Sequence, residues 1–366
     1  MNQRFVKIAL VLCSWMASCI PLSGQSFARI PATDDVISSY MSQHHVPGLS
    51  MAVISHGKVI VSKGYGFADV ENGVPATADT VYRIASISKP VTAAAAMTLV
   101  EAGKLDLDAP IQKYCPAFPK KRWSITTKEV LSHQSGIRDY RNDAETINTR
   151  HYDSINEALT QFATDALDFE PGTKMQYSSY SYVVLGCVIE GASGMTYQDY
   201  MRQSIFQPAD MQVSRLDDVR AIIPHRAHGY ALSSNGELQN APFVDVSNKP
   251  PGSGINSSAE DMGRFVAALF TGKLVSMHTL GEMLTPVNTR DGKPTIYGLG
   301  FFLAGPISSH RGLREAGHGG DQQGFSTLLY LLPEQQFGVV VLSNLEGQRP
   351  TDLIELSRKI YDIVSP

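Results

Sequence analysis

The chain is predicted to adopt an α/β (α+β) fold. One antiparallel sheet is built from both termini and flanked by helices, with a large, mainly helical insertion between its halves. Three observations predict it. Extended apolar segments cluster near both ends of the chain. The middle instead carries apolar residues at helical spacing, often opened by Ser or Thr. The 366 residues, 43% hydrophobic and 18% charged, suit roughly two structural units without repeats or low-complexity stretches.

Residues 1–28 read as an export signal. Arg4 and Lys7 precede an apolar run from Ile8 to about Met16, too short to span a membrane, and Ser26-Phe27-Ala28 offers a small-x-small cleavage site. A lipid anchor on Cys19 is the alternative, but Met16 fits that box poorly. Residues 29–85 and 290–366 are assigned to the sheet domain, and residues 86–289 to the helical one. Thr33 caps a short helix with Val36, Ile37, Tyr40 and Met41 on one face. Leu49–Ser55 and Lys58–Tyr65 form a hairpin around His56-Gly57. Val91, Ala93 to Ala96, Met97, Leu99 and Val100 continue a helix from Ser86 toward a stop at Gly103. Helices follow at Ser181–Glu190, Tyr197–Phe206 and Ser258–Phe270. The last strands are Tyr297–Leu303, Phe325–Leu332 and Gly338–Ser343, with a turn at Pro333 to Gln336. A helix from about Thr351 to Ile363 closes the chain.

The formal net charge is −4, and loss of Arg4 and Lys7 with the signal makes the mature chain more acidic. Such a protein has no electrostatic reason to bind nucleic acid or anionic lipid. Cys115 and Cys187 are the cysteines outside the signal. An oxidising compartment would let them pair. Cys187, however, lies in an apolar helical run and reads as a small core residue. No paired His/Cys spacing suggests a metal site, and no cofactor is expected.

Ser86-Ile87-Ser88-Lys89 is the segment that carries chemistry. A serine hydroxyl needs a neighbour to take its proton, and residues three apart share a helix face. Lys89 therefore meets Ser86, while Ser88 points elsewhere. The S-x-x-K pattern is weak by itself. Two further segments supply what Ser86 would need. Tyr177-Ser178-Ser179 brings a tyrosine that can exchange protons, then a hydroxyl. Gly317-His318-Gly319-Gly320-Asp321 is a Gly-rich approach to the strand at Phe325, where backbone can come close to a substrate and donate N–H groups to an oxyanion. The Gly-rich stretch from Pro251 to Met262 is assigned structure rather than chemistry. His133, within Leu131-Ser132-His133-Gln134-Ser135-Gly136, is likewise read as a structural helix-end residue.

In their order along the chain these segments resemble the serine β-lactamase and penicillin-binding protein superfamily, in its class C β-lactamase-like branch. That branch shows S-x-x-K, then Y-x-N, then K-T-G or H-x-G. Here the three are Ser86 to Lys89, Tyr177 to Ser179, and His318 to Gly320. Gly103 to Asp108, Leu131 to Gly136, Pro171 to Lys174 and Tyr297 to Gly300 match too, so the resemblance runs from about Val46 to Asn344. Ile84 to Lys89, Ser135 to Arg138 and Tyr177 to Ser179 are similar to the mitochondrial serine β-lactamase-like proteins and their bacterial relatives.

The resemblance implies a β-lactamase/DD-peptidase-like fold and a reaction through an acyl-enzyme on Ser86. Lys89 and Tyr177 would share the acid–base work, and either one can be the base. His318 would complete the catalytic set. Ser179, Gly319, Gly320 and Asp321 would line the substrate, with the Ser86 and Asp321 N–H groups as the oxyanion hole. The partner is then a small-molecule or peptide substrate, and the oligomeric state stays open.

Three departures bear on that substrate. Ser179 replaces Asn and Gly319 replaces Thr, so an amide and a hydroxyl are missing. Asp321 stands where a small neutral residue is common. The expectation is an exported serine hydrolase, periplasmic or secreted, acting on D-amino-acid peptides, amides or β-lactam-like substrates. A carboxylesterase of the same fold is the alternative. A slowly reacting penicillin-binding sensor, or a filament-forming scaffold of the mitochondrial kind, is the third reading.

Overall fold

The computed structural model describes residues 30–304 and 309–365; the expected export signal, its cleavage site and Cys19 lie outside them. Helix α1 (Ile30–His44) starts earlier than expected, so Thr33 sits inside the helix rather than at its cap. β1 (Gly48–Ser55) and β2 (Lys58–Asp69) form the expected hairpin. His56 and Gly57 both take positive φ, as a two-residue turn matched to strand twist requires. β3 (Val74–Pro75) is a short edge. Helices α2 (Ser88–Glu101), α3 (Ser179–Ser193) and α4 (Ala259–Phe270) dominate the middle. Strands β4 (Phe302–Leu303), β5 (Ala316–Gln322), β6 (Phe325–Leu332) and β7 (Phe337–Ser343) precede α5 (Pro350–Val364).

The seven strands run in the order β3-β2-β1-β7-β6-β5-β4. β1 pairs antiparallel with β7, so the two ends of the chain meet in the middle of the sheet. Both faces of these central strands are covered. Met51, Val53, Val339 and Val341 pack beneath α1 and α5, with Ile37, Leu353 and Ile360. Ala52, Ile54, Val340 and Leu342 belong to the larger core, which continues into α2, α3 and α4. That is why Leu328–Leu332 and Val339–Leu342 read as continuous apolar runs rather than alternating ones. Among the described residues, no helix is long and apolar enough to cross a membrane.

Two strand expectations change. Tyr297–Leu303 shrinks to the two residues of β4, with one bridge between Tyr297 and Phe302. Gly300 breaks it, at φ +95°, where an added Cβ would lie 2.4 Å from Ala93 Cβ on α2. The expected Gly-rich approach around His318 is itself a strand, β5, because β6 supplies its ladder on one side. β4 pairs with only Ala316 and Gly317, so the outer edge of β5 is open beyond them.

The expectation for Cys187 also changes. It is buried as predicted, but bonded to Cys115 across a sequence separation of 72 residues. The bond ties α3 to the Ile111–Cys115 segment. Gly191 allows this closeness, since a Cβ there would fall 1.7 Å from the Tyr114 carbonyl oxygen. Chain-entropy arguments give a loop of this size about 4 kcal/mol. Cys115→Ser with Cys187→Ser is therefore expected to lower unfolding free energy by about that amount, measurable by urea denaturation.

Candidate active site

Ser86 lies in a 3-10 turn, Ala85–Ile87, that runs directly into α2, with Lys89 in the helix's first turn. Ala85 takes φ +48°, a left-handed conformation that costs an L-residue roughly 1–2 kcal/mol. Neighbouring bonds hold it there. The Ile84 N–H donates to the Ile255 carbonyl at 3.0 Å, and the Thr327 hydroxyl of β6 donates to the Ile84 carbonyl at 2.9 Å. Ser88 points away as expected, its Oγ accepting the Ile255 N–H at 3.2 Å.

Tyr177 is delivered by the start of α3. Ser178 caps that helix, accepting the Ser181 N–H, and its hydroxyl donates to the Arg138 carbonyl at 2.8 Å. The result is a polar knot on Ser86 Oγ. The Tyr177 hydroxyl donates to it at 2.9 Å and Lys89 Nζ at 3.1 Å. Lys89 Nζ also reaches Ser179 Oγ at 3.3 Å and the Gly252 carbonyl at 3.0 Å.

Burial sets the charges. Lys89 is fully enclosed, and loss of water pulls its pKa down to about 7; Asp139 opposes this and Lys249 adds to it. Burial pushes the Tyr177 phenol well above its usual range, although its bond to Ser86 works the other way. His318 is held neutral, with a pKa of about 3, by burial and the nearby Lys89.

Every expected residue from β5 borders the same space. His318 Nε2 is 3.0 Å from the Tyr297 hydroxyl and its Nδ1 2.6 Å from the Gly319 carbonyl oxygen. Gly320 abuts the Ile84 carbonyl and Ala85, where an added Cβ would have no room. Asp321 is exposed, and its carboxylate accepts from the Ser326 hydroxyl at 2.9 Å and the Gly347 N–H at 3.0 Å. Ser179 differs from the expectation of a substrate-lining group: it is 3% exposed and its hydroxyl is turned to Lys89. A cavity of about 730 Å³ opens from Ser86 and Tyr177 along β5, past Phe302, Leu328 and Ile354. None of the described residues lining it is Lys or Arg.

Three contributors escape a reading of the sequence. The Gly252 carbonyl belongs to the segment assigned to structure alone, yet it binds Lys89. His133, also assigned to structure, accepts the Ser178 N–H at 3.2 Å, and its ring lies tilted against that of Tyr177 with centres 4.4 Å apart. Asp139 accepts the Ser179 N–H at 3.0 Å. Only the position of His133 and Asp139, in and just after the Leu131–Gly136 segment, hinted at them.

A nucleophile-sized hydroxyl between a buried lysine and a buried phenol, at the edge of an antiparallel sheet, defines a serine hydrolase. Residues 33–360 match the family described as Beta-lactamase, and the chain belongs to that family. It is 30% identical over 409 residues to the human serine beta-lactamase-like protein LACTB, mitochondrial, covering 86% of this chain and 74% of that one. Among solved structures, the octameric penicillin-binding protein homologue from Pyrococcus abyssi superposes with a TM-score of 0.75 at 27% identity. The match covers 91% of this chain and 76% of that one. The D-amino acid amidase from Ochrobactrum anthropi SV3 shares the fold, with a TM-score of 0.78 at 24% identity over 92% of this chain and 98% of that one.

Proposed function

We propose that the protein is an exported hydrolase working through an acyl-enzyme on Ser86. The observation that carries this reading is the Ser86 hydroxyl held by Lys89 Nζ at 3.1 Å and Tyr177 OH at 2.9 Å. With its pKa drawn down to about 7, Lys89 is available as the neutral amine that takes the Ser86 proton. Oγ attacks the substrate carbonyl carbon, and the Ser86 and Asp321 N–H groups hold the resulting oxyanion. Tyr177, still protonated, gives its proton to the leaving nitrogen or oxygen as that bond breaks, and regains one from Lys89. Water then attacks the acyl ester by the reverse sequence, releasing the acid and restoring Ser86. His318, neutral and bonded to Tyr297, orients the wall beside this chemistry.

The lining bears on the substrate. A carboxylate-terminated D-peptide or a β-lactam needs a cation or hydroxyl for its anionic group. Here the described lining lacks Lys and Arg, Gly319 brings no hydroxyl, and Asp321 adds a negative charge. These features support a reading in which neutral acyl substrates, short esters and uncharged amides, come ahead of β-lactams. Export is supported by the Cys115–Cys187 bond, which persists in oxidising compartments.

Intact-protein mass spectrometry after brief incubation with a fluorescent penicillin and, separately, a short-chain nitrophenyl ester tests the reading, with Ser86→Ala as control. Ester turnover lost in the variant is expected. Unchanged hydrolysis of every ester, amide and lactam by Ser86→Ala would overturn the enzyme assignment. Gly319→Thr offers a second check. An added Cβ there meets only Pro350, at 3.7 Å, an ordinary contact. Restoring the hydroxyl is expected to raise the penicillin acylation rate about tenfold, the value of roughly 1.4 kcal/mol from one hydrogen bond to a charged group.

A further inference from the structure

Behind Ser86, two charged groups that take no part in the hydrolytic steps, Asp139 and Lys249, lie near Lys89. Asp139 Oδ1 accepts the Ser179 N–H at 3.0 Å, and Ser179 Oγ lies 3.3 Å from Lys89 Nζ. The carboxylate is thus joined to the active-site lysine through a single residue. Lys249 approaches from another segment. It is 4% exposed, its Nζ donates to the Thr146 carbonyl at 3.2 Å, and it sits 4.9 Å from the ring centre of Tyr140, the neighbour of Asp139. The Lys249 carbonyl also accepts the N–H groups of Gly252 and Ser253, and Gly252 in turn accepts from Lys89. Both lysines are therefore buried and meet at one short turn, near the half-buried Asp139 carboxylate.

Buried charge is costly unless matched. A carboxylate nearby favours the ammonium form of each lysine, and each ammonium disfavours the other. We propose that Asp139 and Lys249 are positioning residues whose opposed charges set the protonation of Lys89, and through it the pH range over which Ser86 is acylated. This rests on the hydrolase reading above. The Tyr177 and Tyr182 rings lie 4.6 and 5.6 Å from Lys89 Nζ, and burial holds their phenols protonated. His133 and His318 are kept neutral by burial. Burial likewise keeps the Tyr140 phenol protonated. The Arg138 guanidinium is engaged by Glu145 at 2.7 Å and Asp165 at 2.6 Å, and Arg83 by Asp217 at 2.9 Å. Burial lifts the Asp139 carboxyl above its ordinary value, while the Ser179 N–H and the two lysines hold it down.

The test is the rate at which a fluorophosphonate labels Ser86, followed by intact mass across pH 5 to 10 in wild type, Asp139→Asn and Lys249→Met. Asp139→Asn keeps an oxygen for the Ser179 N–H and removes only the charge. Its rising limb is expected to move to lower pH by about one unit. Lys249→Met keeps the buried stem and removes the positive charge, so its limb is expected to move to higher pH. Purely structural damage would lower the rate at every pH without displacing the midpoint. Limbs that stay in place, or move the same way, would overturn the proposal. If Asp139→Asn fails to fold by circular dichroism, the direction of the Lys249→Met shift decides alone. Wild-type Ser86 that takes no label would defeat the hydrolase reading itself; labelled wild type with unmoved limbs defeats only this inference.

Discussion

Lys89→Met is expected to slow acylation of Ser86 at least about 10²-fold while leaving the melting temperature equal or higher. The first part follows from removing the base, since a positioned general base contributes roughly 10²–10⁴-fold. The second follows from burial. Lys89 is fully enclosed, and an apolar side chain of similar volume avoids the cost of desolvating an amine there, which active sites commonly carry at the expense of stability. The wild-type rate has a matching pH signature. Burial lowers the Lys89 pKa to about 7, so the reactive neutral amine accumulates as pH rises through that value. The acylation rate is expected to climb through pH 7 and flatten above it, because the buried Tyr177 phenol keeps its proton well beyond. Stopped-flow acylation against pH, beside thermal melts of both proteins, checks these outcomes. A variant that acylates normally, or a rate that falls between pH 6 and 8, would exclude Lys89 as the base.

Gly320→Ala is expected to cost about 10²-fold in kcat/KM, the scale associated with misplacing a catalytic group by roughly 1 Å. The added Cβ would lie 2.3 Å from Thr327 Oγ1, 2.7 Å from the Ile84 carbonyl oxygen and 3.0 Å from Ala85 Cβ. The Thr327 hydroxyl can rotate, but only by giving up its 2.9 Å bond to the Ile84 carbonyl. The carbonyl itself is backbone, one residue before the strained Ala85. β5 must therefore withdraw from the turn that carries Ser86. Gly281→Ala, where an added Cβ meets nothing within 4 Å, is the matched control. Steady-state kinetics on a nitrophenyl ester compares the two. Equal activity would mean that β5 does not need to sit this close.

Part of this architecture is legible in the residue order because it depends on short-range spacing. The i, i+3 relation of Ser86 and Lys89 survives the change from α-helix to 3-10 turn, since both keep such residues on one side. The capped start of α4 at Ser258 is equally local: its hydroxyl accepts the Asp261 N–H three residues on. Local pattern fails where a distant segment decides. Ala316–Gln322 holds three glycines and reads as loop, yet β6 makes it a strand. Tyr297–Leu303 reads as a strand, yet the approach of α2 at Gly300 bends it away.

The sequence alone determined the reactive pair, the tyrosine that joins it, and a sheet assembled from both ends of the chain. The pair and the strand and helix segments are encoded in residue type and near-neighbour spacing, which a one-dimensional string preserves; the role of Tyr177 was implied by the order of motifs shared with the family the sequence resembles. Tertiary structure alone decided the charge and surroundings of those groups. The pairing of Cys115 with Cys187, the Gly252 carbonyl on Lys89, the turn of Ser179 toward that lysine and the seating of Lys249 over the Tyr140 ring beside Asp139 all join residues far apart in the chain. Desolvation and Coulomb interaction act through space over a few ångströms, so the protonation of Lys89 is a property of the folded interior and not of its sequence neighbours.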